Sequence, residues 1–293
     1  MSYVSTSFDQ PPKYPILKFF HELHLLYKDN AWLFLKIAMP PVVFSSLAIL
    51  ATNNQFHAML AHLPRGRELS FHFQEILAAS AVRLSGFLVS WIVNVFGFAA
   101  VSVAVERVLR GERPSAEECY APARERAGSI VVLALILLGF VTLAAFGAGI
   151  IGYAAFRLSQ SMMNPLSWLV LIAGSTVAAT YALAVPAILF EGLSIRAALR
   201  RSDFLTGSSF GQLFALVAES FAAGYVTAFL TWWIAGIVAE RIGWTASTTW
   251  IAWTCATYGV AMADLVLLIG LSVLYQRLSA ADRANAEVQA RSS

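Results

Sequence analysis

Charged residues are scarce in this sequence. Only 13% of its 293 residues are Asp, Glu, Lys or Arg, whereas 58% are hydrophobic. This composition lies outside the range of ordinary soluble domains. The net charge is only +3, and no basic patch accumulates in one segment. The composition therefore argues against a nucleic-acid-binding protein, and we expect no nucleic-acid partner.

Cysteine and histidine are also scarce, with two and five residues. Cys119 and Cys255 fall on opposite sides of the membrane in the topology derived below, so they cannot form a disulfide with each other. A metal site needs ligands that are closer together than His21 and His24, with thiol or carboxylate groups among them. We therefore expect no disulfide framework, no metal and no cofactor. No Ser, His and acidic set converges at one membrane depth, and we predict that the chain is not an enzyme.

Six long apolar runs dominate the sequence. Each is near or above the ~20 residues that cross ~30 Å of hydrocarbon. Lipid offers the backbone no hydrogen-bond partner, so each run must be a helix. The sequence predicts an all-α polytopic membrane helical bundle with six transmembrane helices. The six runs are 31–52, 84–105, 129–155, 167–190, 212–239 and 250–274.

Three segments follow from these runs. Residues 31–279 form the six-span transmembrane domain. Residues 1–30 precede it, and apolar residues at helical spacing between Ile16 and Tyr27 predict an amphipathic helix on the cytoplasmic face. Residues 280–293 are small and polar, and we expect a frayed tail. Within the first span, Pro40 and Pro41 predict a kink whose freed carbonyls need other donors.

The distribution of Lys and Arg gives the orientation. Fourteen of the twenty lie before the first span, after the sixth, or in the connections after spans two and four. Five lie in the other three connections. The positive-inside rule therefore places both termini in the cytoplasm, as expected for a multi-pass protein of the bacterial inner membrane.

Two connections on the basic side are similar to each other. Ser115 to Gly128 follows span two, and Ser194 to Gly207 follows span four with the same length. In each, the serine can cap a short helix and the glycine can close the connection. The similarity indicates either a parallel duplication, in which spans two and three repeat as spans four and five, or two connectors of the same type.

The second connection carries a family-like motif. Glu191-Gly192 is followed by Arg200-Arg201-Ser202-Asp203 and by Thr206-Gly207. This run resembles the six-helix membrane domain associated with bacterial glycerophosphoryl diester phosphodiesterases and with related uncharacterised membrane proteins. In such proteins the hydrolase chemistry belongs to a separate soluble domain, so the resemblance implies no catalytic residue here. We expect Arg200 and Arg201 to meet lipid phosphates or Asp203, and Thr206-Gly207 to end the helix.

Ionisable groups within the spans are the other candidates, because burying them in hydrocarbon is costly unless they face the bundle interior. Lys36, Glu219 and Asp264 lie in the cytoplasmic half of spans one, five and six, and Asn94 lies in span two. They could form a packing network, with Lys36 extending to the interface, or a polar site for cargo.

The sequence thus favours an integral inner-membrane protein without catalysis of its own, acting as a membrane-embedded accessory or scaffold. The alternative is a small transporter or lipid-handling protein that uses its intramembrane acidic residues. Membrane lipids are the expected partners. Ridges of small residues suit either a homo-oligomer, a protein partner or packing within one chain.

Overall fold

The computed structural model describes residues 16–61, 73–158, 163–207, 209–242 and 246–292. These parts of the chain contain helices and no strand, so the predicted all-α fold is confirmed. The helices are α1 (Ile16–Ala61), α2 (Phe73–Leu109), α3 (Ala116–Glu125), α4 (Ala127–Leu158), α5 (Met163–Ala182), α6 (Ala184–Glu191), α7 (Ile195–Thr206), α8 (Phe210–Ile242) and α9 (Ala246–Ser292).

Five stretches of the described helices are long and apolar enough to cross a membrane. They are Lys18–Thr52, Leu77–Leu109, Gly174–Glu191, Phe210–Val238 and Leu265–Val288. A sixth crossing results if α3 and the first half of α4, which meet at an angle of 84°, are counted as one bent span. The chain therefore has the helices of a polytopic membrane protein, five or six of them by length and composition.

The first helix is broken at Asn30, whose φ of −124° and ψ of 16° are not helical. Before the break, Phe19 and Leu23 are buried in the core and Lys28 is exposed, so this part of α1 is amphipathic. Its Glu22 carboxylate binds the Arg277 guanidinium of α9 at 2.9 Å. The segment before Asn30 is thus helical and packs against the bundle through Phe19 and Leu23, and its place on the cytoplasmic face stays a prediction.

The helical backbone continues through Pro40 and Pro41, so the break in α1 lies ten residues earlier than the predicted proline kink. A proline at position 41 has no N–H to donate to the carbonyl of Ile37, four residues back. The Tyr120 hydroxyl of α3 donates to that carbonyl oxygen at 2.7 Å. The freed carbonyl is thus satisfied by a neighbouring helix, as the sequence required.

Helix α2 packs closely along the same stretch of α1. A Cβ atom placed on Gly97 would lie only 2.9 Å from Cγ of Pro41, and one on Gly86 would overlap the Thr52 side chain. Only glycine allows the two backbones this approach. The proline segment is therefore covered by α2 on one side and by α3 on another.

The two similar connections both fold into a short helix, α3 and α7. Ser115 forms a capping box with Glu118, in which Glu118 N–H donates to Ser115 Oγ at 3.3 Å and Ser115 N–H donates to Glu118 Oε2 at 3.2 Å. Ser194 is also an N-cap residue, but its side chain makes no capping hydrogen bond. The predicted cap is confirmed in the first connection and wrong in the second.

The ends of these connections also differ from each other. Helix α7 ends at Thr206, as predicted, and the N–H of Gly207 donates to the Asp203 carbonyl at 3.1 Å. In the first connection the break falls at Arg126, and Gly128 already lies inside α4. The prediction that Gly128 closes this connection was wrong, since the chain turns directly from α3 into α4.

The C-terminal segment is helical and not frayed. Helix α9 continues to Ser292 without interruption. Residues 280–292 are rich in Ala, Arg, Glu and Gln, which have high helix propensity. Asp282 also binds Arg201 of α7 at 2.7 Å, which holds this part of the helix against the bundle.

We predict that Tyr120→Phe will destabilise the protein by about 1–3 kcal/mol, because the Ile37 carbonyl loses its donor. Tyr27→Phe is the matched control, since Tyr27 is half-buried on α1 and makes no hydrogen bond in the described part of the chain. Thermal unfolding of the purified protein in detergent measures both.

A second substitution isolates the role of the proline. Pro41→Ala restores the N–H that normally pairs with Ile37, so Tyr120→Phe should cost much less in that background than in the wild type. Equal costs in the two backgrounds would mean that the hydroxyl does not substitute for the missing backbone donor.

Candidate functional site

Two charged residues of the family-like motif, Glu191 and Arg201, form a cluster with two residues of α9. Arg201 Nε donates to Glu191 Oε2 at 3.2 Å, and Arg201 Nη1 donates to Asp282 Oδ2 at 2.7 Å. The Tyr275 hydroxyl donates to Glu191 Oε1 at 2.6 Å. We call these four residues the Arg201 cluster. It joins α6, α7 and α9 at the end of the bundle that carries α3 and α7.

Local structure brings Glu191 and Arg201 together. Gly192 follows Glu191 with a φ of 67°, which is in the left-handed region, and this glycine ends α6 and reverses the chain into α7. The Arg126 guanidinium also lies 3.4 Å from where a Cβ would be at position 192. A side chain at this position would be strained by its φ, so the Glu-Gly pair of the motif has a structural cause.

The electrostatics of the cluster hold Arg201 charged. Burial of the guanidinium acts to lower its pKa, but the hydrogen bond to Asp282 and the charge of Glu191 outweigh this effect and raise the pKa above its ordinary value. The Arg201 side chain is 20% exposed, and those of Glu191 and Asp282 are 31% and 35% exposed. Water therefore reaches the carboxylates and screens the pairs in part.

The remaining motif residues divide into buried and exposed ones. Ser202 is fully buried and its hydroxyl donates to the Thr180 carbonyl, and Thr206 Oγ1 donates to the Ser202 carbonyl at 2.9 Å. Arg200 and Asp203 are exposed. The Arg201 guanidinium pairs with carboxylates of α6 and α9 and not with Asp203, and the expected contact of these arginines with lipid phosphate stays a prediction.

Sequence reasoning missed Tyr275 and Asp282. They are seven residues apart, so they lie on one face of a helix that continues past residue 279. A frayed tail was expected there, and this hid the spacing. The signal was an acidic residue in an alanine-rich run directly after the last span, opposite an arginine-rich connection.

A second charged group lies between α2 and α3. Arg107 Nη1 contacts Glu118 Oε2 at 3.3 Å, and Arg107 Nε lies 3.9 Å from Glu112 Oε2. Arg110 pairs with Glu106 one helical turn earlier. Four of these residues, Glu106, Arg107, Arg110 and Glu112, line a cavity whose apolar lining includes Leu189 and Phe190 of α6. Its charges compensate one another, as they do in the Arg201 cluster.

The structure places three of the four intramembrane candidates on the surface of the bundle. Lys36, Asn94 and Glu219 are exposed, and the Ser45 hydroxyl donates to Asn94 Oδ1 at 3.4 Å. Lys36 Nζ lies 5.3 Å from the centre of the Trp32 ring. Asp264 lies within α9, but its side chain is outside the described residues.

Lys36, Asn94 and Glu219, the three candidates whose side chains the structure describes, do not share one interior site. Helices α1 and α2 pack against each other, whereas α8 packs mainly against α9 and α5. Lys36 and Asn94 therefore belong to one side of the bundle, and Glu219 belongs to another. Among the described residues, no three His, Cys, Asp or Glu side chains are close enough to hold a metal ion.

Comparison with protein-family models, with curated proteins and with solved structures found no match to the chain. The resemblance to the six-helix membrane domain therefore remains a prediction. The arrangement of the Arg201 cluster itself is that of a clamp between helices, since each carboxylate is engaged by a donor from another helix. It holds no serine or thiol that these groups could activate.

We predict that Arg201→Gln will lower the stability of the purified protein by about 1–3 kcal/mol, because Glu191 and Asp282 then lose their charged donor. The neighbouring Arg200→Gln is the matched control. It removes the same charge from an exposed position and should change stability by less than about 0.5 kcal/mol.

Thermal unfolding in detergent, followed by circular dichroism, gives both values. Equal effects of the two substitutions would contradict the clamp, since they would show that only the loss of a positive charge matters.

Proposed function

We propose that this chain is a six-span protein of the bacterial inner membrane with both termini in the cytoplasm. It acts as a membrane-embedded accessory or scaffold without catalysis of its own. The observation that carries this proposal is the Arg201 cluster. Glu191 and Arg201 of the motif pair with each other, and Arg201 also pairs with Asp282 of α9, so these charges connect helices.

The orientation is supported by the distribution of positive charge. The connections that contain α3 and α7 carry eight arginines, from Arg107 to Arg126 and from Arg196 to Arg201. The ion pair between Glu22 and Arg277 joins the beginning of α1 to α9 near its charged end. The positive-inside rule assigns this basic side of the bundle to the cytoplasm.

The topology can be tested with single cysteines in a Cys119→Ala, Cys255→Ser background. We expect a membrane-impermeant maleimide to label Gly66→Cys in intact cells, because the proposed topology places the connection between the first and second apolar runs outside. Ala284→Cys should be labelled only after permeabilisation. The opposite pattern would reverse the orientation, and labelling of both positions in intact cells would contradict an even number of spans.

The accessory role predicts that the chain binds a partner protein in the membrane. The full-length chain, cross-linked in its native membrane and then purified, should carry a protein partner in a fixed ratio. Recovery of the chain with no cross-linked protein would remove the support for this role.

The alternative function is a small transporter or lipid-handling protein. The observation that favours it is the exposed carboxylate of Glu219 within the apolar span Phe210–Val238. Because an ionised group is costly in hydrocarbon, its presence in a span points to a functional site. Asp264, in the neighbouring helix α9, is the second acidic residue of this hypothesis.

Asp264→Asn separates the two functions. Under the accessory role, the variant should fold and keep its partner, and native mass spectrometry should show the same mass composition as the wild type. A lipid or small molecule that is retained by the wild type and lost by Asp264→Asn would instead support transport and would give the mass of the cargo.

A further inference from the structure

Glu219 is an acidic residue in an apolar span, and the described residues of one chain give it no partner. It lies in the apolar span Phe210–Val238, and its side chain is exposed on the outer surface of α8. In the described part of the chain it has no hydrogen bond and no ion pair. An ionised carboxylate facing hydrocarbon costs several kcal/mol, so natural proteins give such a group a partner.

A complementary cation is exposed on another helix. Lys36 lies on the outer surface of α1, inside the apolar stretch Lys18–Thr52. Its ammonium group contacts only the Trp32 ring among the described residues, at 5.3 Å from the ring centre. Lys36 lies near one end of a shallow apolar groove that runs along α1 through Met39, Pro40 and Phe44 to Leu47.

The two exposed faces match in direction and length. Helix α1 after its break at Asn30 and helix α8 both enter the membrane from the side that carries α3 and α7. Lys36 lies about 9 Å beyond Asn30, and Glu219 lies about 14 Å beyond Phe210, at a rise of roughly 1.5 Å per residue. From Lys36 to Leu47 the groove is roughly 16 Å long, and the α8 face from Glu219 to Leu230 has the same length.

The surface around Glu219 is shaped for close contact. Ala222 and Ala223 lie beside it and are exposed, as is Val226 one turn further along. Small residues next to a polar group are typical of contacts between membrane helices, because they let the backbones approach. The α8 face therefore offers a carboxylate and a narrow ridge, and the α1 face offers a cation and a groove.

We propose that the Glu219 face of α8 in one copy of this chain packs into the α1 groove of a second copy, with an ion pair between Glu219 and Lys36. Within one copy α1 packs mainly against α2 and α8 packs mainly against α9, and the side chains of Lys36 and Glu219 are both exposed. The contact is between two different surfaces on different sides of one copy, so repetition around an axis normal to the membrane gives a closed ring. The proposal depends on the membrane topology and not on the accessory role.

Charge reversal tests the ion pair. Native mass spectrometry of the wild type in a mild detergent should show an oligomer. Lys36→Glu and Glu219→Lys should each remove it, since each places like charges together, and the double variant should restore it. Lys28→Glu and Glu125→Lys are matched controls, because they make the same changes of charge at exposed positions outside the six apolar runs of the sequence and should leave the oligomer intact.

Circular dichroism and a single symmetric elution peak show whether each variant is folded. A monomeric wild type would overturn the proposal, and so would folded single variants that keep the oligomer. Should both single variants fail to fold, the cross-link described next decides the question without altering either charge.

Cross-linking tests the alignment. Pairing Lys36 with Glu219 in parallel places Leu47 opposite Leu230, and both are exposed. Two chains without their native cysteines, one with Leu47→Cys and the other with Leu230→Cys, are expressed together and oxidised in the membrane. A disulfide-linked dimer is expected for this mixture and for neither chain alone, and its absence would overturn the proposed packing.

Discussion

Arg201 is the residue on which the basic end of the bundle depends. Its guanidinium reaches Glu191 at the end of α6 and Asp282 far along α9, while Tyr275 completes the coordination of Glu191. The consecutive helices α6 and α7 are thereby fixed to α9 at one point. The strength of this arrangement comes from directed hydrogen bonds between charged groups, which are stronger than neutral ones and require a defined geometry.

Membrane physics made much of the fold predictable. The apolar runs, the amphipathic segment before Asn30 and the two short helices after α2 and α6 follow from hydropathy, helical spacing and capping residues. The sequence also predicts that the carbonyl of Ile37 needs another hydrogen-bond donor, because Pro41 has no backbone N–H to donate to it. The identity of the donor, Tyr120 of α3, could not be predicted, since it depends on how helices that are distant in sequence pack together.

The candidate site was predictable only in part. The motif identified Glu191 and Arg201, but residues 280–292 were expected to be frayed, and this removed Asp282 from consideration. The intramembrane charges were expected to form either a packing network, with Lys36 extending to the interface, or a polar site for cargo. Hydropathy gives the depth of Lys36 and Glu219 but not their direction around the helix axis, because the surrounding residues are apolar on every side. Packing alone decides that direction, and it turns both outward.

The continuity of α9 has a mechanical consequence. No break separates the apolar part that begins at Leu265 from Asp282, which lies roughly 26 Å further along the same rod at about 1.5 Å per residue. A change of about 5° in the tilt of this rod moves Asp282 by about 2 Å, enough to break its 2.7 Å contact with Arg201. Membrane helices adjust their tilt to the thickness of the bilayer. The ion pair between Arg201 and Asp282 therefore restricts the tilt of α9 relative to α7.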